Sequence, residues 1–275
     1  MNKMEKRINV INKPQIISIL SGKGGVGKSI ITYNLAAAAA HQGYRCLIID
    51  CDWYFGNIHI LANVVPKASL ADVIVNDRHM SDAVIRIYNN LHLLPSPASP
   101  AGEKEINRQE LEKFFNNCKS IFSDYDFVMI DTPSSMLGLI GLCAEISDIN
   151  LITINPELTS ISDGYGLFKY LTVSSIKGQA YLLINRAEDG TEYEYVYRKF
   201  SAMAERFLEK WPRDGGYVVE NECVSESIEK QKTIFEFAAD SEIAEQFLKL
   251  CNLLTENDLE GDKSPQLETE RSINS

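Results

Sequence analysis

The segment Gly22-Lys23-Gly24-Gly25-Val26-Gly27-Lys28-Ser29 limits the fold of this chain more than any other stretch. It follows an apolar run, Ile16–Leu20, that reads as a buried strand, and it leads into a helical stretch, Ser29–His41. A glycine-rich turn in that setting matches G-x-x-x-x-G-K-[ST], the pattern that cradles nucleotide phosphates. Glycines let the backbone close on phosphate oxygens, and the N–H groups opening the helix favour an anion. Gly22, Gly24, Gly25, Val26, Gly27, Lys28, Ser29 and Ile30 are therefore the candidate nucleotide contacts. Lys28 is expected to reach the β- and γ-phosphates, and the Ser29 hydroxyl to ligate Mg²⁺, which makes ATP and Mg²⁺ the expected cofactors.

Beyond the loop, short apolar strands alternate with longer helical stretches. Strands are expected at Ile16–Leu20, Arg45–Asp50, Leu91–Leu94, Phe127–Asp131, Asn150–Ile154, Ala180–Asn185 and Tyr217–Val219. Helices are expected at Ser29–His41, Arg108–Ser123, Ser162–Ser174, Glu192–Trp211 and Ser241–Leu254. The strands are nearly continuous in Ile, Leu and Val, as strands covered on both faces must be. The pattern predicts an α/β fold of three layers, a mostly parallel central sheet with helices on both faces. From Tyr193, apolar residues recur at Val196, Tyr197, Phe200, Met203, Phe207, Leu208 and Trp211, a core-facing helical stripe with Pro212 as its stop. Ile243, Phe247, Leu250 and Leu254 repeat the stripe. Residues 1–14 read as an N-terminal extension, 15–254 as one nucleotide-binding domain, and 255–275 as a disordered acidic tail.

Composition narrows the function. A net charge of −11 argues against affinity for nucleic-acid phosphates, so no direct nucleic-acid binding is expected. No apolar run approaches the roughly 20 residues of a membrane-spanning helix, and Met1–Lys13 lacks the apolar core of a secretory signal. A cytoplasmic location is expected. The six cysteines contain no C-x-x-C pair and read as small reduced hydrophobes.

A second lysine, Lys23, stands inside the loop, where an ordinary phosphate cradle needs none. With it, the segment resembles the deviant motif K-G-G-V-G-K-[ST] of the MinD/ParA ATPases. The resemblance implies a P-loop ATPase in which Lys23 crosses a dimer interface to the phosphates of the partner's ATP. The strand ending Asp50-Cys51-Asp52 places two acids on one side of an extended chain, and Phe127–Asp131 is a Walker-B-like run ending in an acid. Asp131 is expected to hold Mg²⁺ through water, Asp50 to support the metal shell, and Asp52 to orient or activate the attacking water. Lys23, Lys28 and Asp52 are thus the expected catalytic residues, and Ser29, Asp50 and Asp131 the expected metal set. Asn57 stands at the spacing from these acids seen in MinD-like proteins and is expected at the nucleotide; Asn185 and Arg186 match the family's strand-ending N-R near the adenine.

The block Asn155-Pro156-Glu157-Leu158-Thr159-Ser160-Ile161-Ser162-Asp163-Gly164-Tyr165-Gly166-Leu167 resembles FlhG (also FleN or YlxH), MinD-like regulators of flagellar number and position. That branch implies a slow, partner-stimulated ATPase that dimerises with ATP. Its partners would be a second copy of itself and an FlhF-like GTPase, a flagellar switch or C-ring protein, or a transcription regulator. Recruitment to a cell pole or the inner membrane face would follow. Several features depart from the branch. Ser134-Ser135 stand where Ala-Gly is usual after Asp131-Thr132-Pro133, in the segment that senses the γ-phosphate. They leave open an adaptor that holds nucleotide with little hydrolysis. Tyr54-Phe55-Gly56 is similar to CpaE/TadZ-type localisation ATPases of pili and secretion systems. The N-terminal segment lacks the D-Q-A-x-x-L-R motif that stimulates FlhF. Thr255–Ser275 carries six acids against two basic residues, so autonomous membrane binding is expected to be weak or absent.

Overall fold

The computed structural model describes residues 13–97, 107–134 and 136–256. In those residues eight strands form one sheet: β1 (Gln15–Leu20), β2 (Cys46–Asp50), β3 (Ile85–Tyr88), β4 (Leu91–Leu94), β5 (Phe127–Asp131), β6 (Ile149–Ile154), β7 (Gln179–Ala187) and β8 (Arg213–Val219). Their order is β3-β4-β2-β5-β1-β6-β7-β8, and every neighbouring pair is parallel except β3–β4. β1 lies between β5 and β6, so the loop at its carboxyl end sits where the winding of the chain reverses. Ligands of open α/β sheets bind in that crevice.

The helices are α1 (Lys28–His41), α2 (Ile58–Leu61), α3 (Leu70–Val75), α4 (Met80–Ala83), α5 (Arg108–Asn117), α6 (Lys119–Phe122), α7 (Leu137–Ile146), α8 (Leu158–Val173), α9 (Gly190–Leu208), α10 (Glu222–Glu229), α11 (Ile234–Phe237) and α12 (Glu242–Glu256). Strand alternation explains the three layers. Ile17 and Ile19 of β1, with Cys46 and Ile48 of β2, join a core with α1, α11 and α12. Leu47 and Ile49 point the other way, into a core with α5 and α7, while Leu20, Ile152 and Ile154 meet α8 and α9. Five consecutive alanines, Ala36–Ala40, are almost wholly buried and bring α1 close to its neighbours without a break in helix propensity.

The stripe of α12 is packed as the spacing predicts: Ile243, Phe247, Leu250 and Leu254 are buried in the core shared with α1. Burying a side chain such as Phe247 contributes about 1.5–3 kcal/mol. No helix among the described residues is long and apolar enough to cross a membrane.

Several boundaries differ from expectation, each for a local reason. The helix expected at 108–123 breaks at Cys118 into α5 and α6. Asp189 accepts from the N–H groups of Thr191 and Glu192, so α9 starts at Gly190. That helix stops at Leu208 because Glu209 turns left-handed at φ 53°, which leaves Trp211 outside it and Phe207 64% exposed, against the core-facing role expected of both. β8 begins at Arg213 rather than Tyr217, since Asp214-Gly215-Gly216 carries no apolar signal. β3 is an antiparallel edge strand that no candidate covered. α2, α3, α4, α7, α10 and α11 were likewise unassigned. The last helix runs to Glu256, past the expected domain end at 254. The N-terminal extension up to residue 12, the tail from residue 257 and Ser135 lie outside the described residues.

Candidate functional site

The carboxyl ends of β1, β2 and β5 and the start of α1 bring Lys28, Ser29, Asp50 and Asp131 together. The loop from Ser21 to Gly27 leaves β1 and feeds α1, whose first residue is Lys28. Gly27 adopts φ 95°, a region L side chains avoid, and a Cβ there would lie 2.4 Å from Asn185 Nδ2. Asn185 uses that closeness, donating to the Val26 carbonyl at 2.7 Å and pinning the loop to the end of β7.

Lys28 is buried, with its ammonium on two hydroxyls: Ser21 Oγ at 2.9 Å and Ser134 Oγ at 2.8 Å. Burial pulls its pKa down, while the carboxylates of Asp131 and Asp52 act in the opposite direction. Ser29 Oγ donates to Asp131 Oδ2 at 2.6 Å, and Thr32 Oγ1 approaches the other oxygen at 3.4 Å.

Asp50 and Asp131 are register partners on adjacent strands, and both are fully buried. Burial pushes Asp131 up to about 6, and burial with the neighbouring Asp131 raises Asp50 as well. Two such carboxyls side by side favour either a proton or a cation. Asp50 accepts from Asp52 N at 3.1 Å, Ile58 N at 3.4 Å and Ser96 Oγ at 3.2 Å. Gly56 is required there, because a Cβ would fall 1.7 Å from Ser96 Oγ and 2.8 Å from Asp50 Oδ2. β2 ends at Asp50, and Asp52 sits in the following loop, accepting from Phe55 N at 3.2 Å. Leu47, Ile49, Cys51 and Trp53 share one core, so the alternation that sets Asp50 and Asp52 on the opposite side carries past the strand end.

The donor set fits Mg²⁺. Ser29 and Asp131 share a hydrogen bond and Asp50 is the register partner of Asp131, so the three offer hard oxygens, and Mg²⁺ is commonly held by one or two carboxylates together with phosphate oxygens and water. Among the described residues no group of three or more His, Cys, Asp or Glu could hold a metal.

Lys23 stands apart from Lys28. Its ammonium donates to Glu157 Oε2 at 2.9 Å and to Thr159 Oγ1 at 3.1 Å, at the start of α8. The hydrogen bond and charge of Lys23 hold the Glu157 carboxyl below its usual range. Asn57 is exposed at the head of α2. Ile30, Asn185 and Arg186 line a narrow cleft with Val218, Glu220 and Asn221. Arg186 pairs with Glu220 at 3.5 Å, and its charge also acts on Glu157, the partner of Lys23.

Sequence reasoning missed three supporting groups. Ser21 follows the strand without a distinctive signal, Ser96 lies in the loop Pro95-Ser96-Pro97, and Thr132 donates to the Ile19 carbonyl at 2.7 Å. Among them only Thr132 had a cue, its place directly after the predicted strand-ending acid.

Comparison with known proteins agrees with this arrangement. A family model described as an AAA domain matches residues 14–179. The chain is 25% identical over 231 residues to the antiactivator FleN of Pseudomonas aeruginosa, covering 84% of this chain and 82% of that protein. It is 25% identical over 190 residues to the flagellum site-determining protein YlxH of Helicobacter pylori, covering 69% and 64% respectively. The septum site-determining protein MinD of Pyrococcus horikoshii, solved with Mg-ADP, superposes with a TM-score of 0.74 at 22% identity over 88% of this chain and 96% of that one. The α/β fold with its mostly parallel sheet is thus the one expected, and the chain belongs to the MinD/ParA family of P-loop ATPases, related to the flagellar regulators of that family.

Proposed function

We propose that this protein is a Mg²⁺-dependent ATPase switch that dimerises when it holds ATP, and that it regulates the number or placement of a cell-surface structure, most simply flagella. The observation that carries the switch is Lys23, a second loop lysine that the chain's own site does not use, since it reaches Glu157 and Thr159 rather than the Ser21–Lys28–Ser134 cluster. FleN and YlxH support the flagellar role.

In this reading the loop N–H groups and Lys28 bind the phosphates, and Asn185 keeps the loop in shape. Ser29, Asp131 and Asp50 would hold Mg²⁺, which would supply charge neutralisation on the phosphate oxygens. Asp52, at the edge of the cluster, orients the attacking water and takes its proton. Lys23 of a second copy adds positive charge where negative charge accumulates on the γ-phosphate. The partners are a second copy of the chain and a further protein of the FlhF, flagellar-switch or transcription-regulator kind. The location is cytoplasmic, with recruitment to a pole or the inner membrane face through that partner.

A second reading, a nucleotide-holding adaptor with little turnover, is favoured by one contact: Ser134 occupies Lys28 from the segment expected to sense phosphate. Phosphate release with Mg-ATP separates the two. The switch predicts release that Lys23→Ala and Asp52→Ala each reduce at least tenfold. Release at background in the wild-type chain, with ATP bound, would select the adaptor.

A further inference from the structure

We propose that Ser134 is a side-chain contact to the terminal phosphate of ATP, one that parks Lys28 when that phosphate is absent and takes its place on the phosphate when it arrives. This deepens the ATP-binding reading and rests on it.

Three observations place the hydroxyl. Ser134 follows Asp131-Thr132-Pro133, and Thr132 is tied to the Ile19 carbonyl at 2.7 Å, so the segment is anchored to β1 just before the serine. The serine then faces the loop, since a Cβ on Gly24 would lie 3.8 Å from Ser134 Oγ and 3.9 Å from its Cβ. It accepts from Lys28 Nζ at 2.8 Å. The one side chain expected to hold the β- and γ-phosphates therefore already spans the gap to Ser134.

The chemistry follows from donor counting. A lysine ammonium has three N–H donors, and two are committed here, to Ser21 and Ser134, so the third is open to a β-phosphate while Ser134 is still held. A γ-phosphate oxygen is charged and a stronger acceptor than a neutral hydroxyl, so on its arrival Lys28 exchanges Ser134 for it. The released Ser134 hydroxyl keeps its own proton and can rotate to donate to the same phosphate. ADP ends one phosphate short, so the Ser134 contact distinguishes ATP from ADP, whereas an alanine would leave that task to the backbone.

The test is calorimetric titration of the full chain with Mg-ADP and with a non-hydrolysable Mg-ATP analogue, for wild type, Ser134→Ala and Ser134→Thr. The expected result is that Ser134→Ala lowers the ratio of analogue affinity to ADP affinity about tenfold, the scale of a hydrogen bond to a charged group. ADP binding is retained, which also reports a folded variant. Ser134→Thr, which keeps the hydroxyl, restores the ratio to within about threefold. A ratio unchanged in Ser134→Ala, or equal losses for both nucleotides, would overturn the inference while leaving ATP binding intact. Wild type binding neither nucleotide would instead overturn the ATP-binding reading itself.

Discussion

Lys23 and Glu157 form an ion pair at 2.9 Å across the mouth of the phosphate loop, joining the turn after β1 to the residue before α8. The pair is open to solvent, with side chains 39% and 62% exposed. Solvent and salt screen an exposed pair of this kind, so it does not stop the lysine from leaving for a better acceptor. A phosphate group on a second molecule is such an acceptor.

Glu157→Gln is therefore expected to leave the urea unfolding midpoint almost unchanged. The same substitution should move the ATP concentration that half-saturates dimer formation by no more than about fivefold. A clear drop in the midpoint would mean that the pair is a structural clamp rather than a resting place.

The Asp131 carboxyl gives a pH prediction for the nucleotide-free chain. Its native value of about 6 lies above the roughly 3.9 of an unfolded aspartate, so the native state binds more protons between those values. Stability from this group is present below the unfolded value and falls as pH rises through the window to about 6. Asp131→Asn removes the charge and keeps the shape. Relative to wild type it is expected to gain up to about 3 kcal/mol between pH 4 and pH 7.5 in urea denaturation without Mg²⁺, an upper bound because Asp50 shares the site. Equal wild-type and variant profiles across that range would contradict the buried acid pair.

Gly27→Ala combines a side chain at φ 95° with a Cβ 2.4 Å from Asn185 Nδ2. A loss of about 1–3 kcal/mol of stability and most nucleotide affinity is expected. Adding Asn185→Ala removes the clash but not the strain, so a double-mutant cycle should recover part of the loss and no more.

Much of this was legible in the sequence because the signals were local. The loop motif, its flanking strand and helix, and the terminal acids of β2 and β5 each carry their chemistry within a few residues. Asp131 and Ser29 meet as expected because a strand end and a helix start are both rigid. Groups whose role depends on long-range closeness gave no signal. Ser96 reaches Asp50 only because β4 lies beside β2 and Gly56 leaves room. Asp52 lies beyond the end of β2, yet Cys51 and Trp53 stay in the core of Leu47 and Ile49, so the alternation read from the sequence outlasts the strand. α7 escaped notice because its buried run Leu139–Ala144 is apolar on nearly all sides and shows no helical period.

α12 bears on membrane attachment. Its stripe is buried against α1, so freeing it for lipid would expose Phe247 and its neighbours. Phe247→Ala is expected to cost about 3–5 kcal/mol in urea denaturation. The intact chain is expected to stay in the supernatant when spun with anionic vesicles and Mg-ATP. Co-sedimentation without unfolding would show that another surface carries the affinity.

The central claim is that ATP brings two copies together through Lys23, and light scattering after size exclusion tests it most directly. Wild type and Lys23→Ala would be run with Mg-ADP and with a non-hydrolysable Mg-ATP analogue, with bound nucleotide measured in each peak. The account predicts a dimer for wild type with the analogue only, and monomers in the other three samples. A wild-type monomer carrying bound analogue, or a Lys23→Ala dimer as abundant as that of wild type, would contradict it.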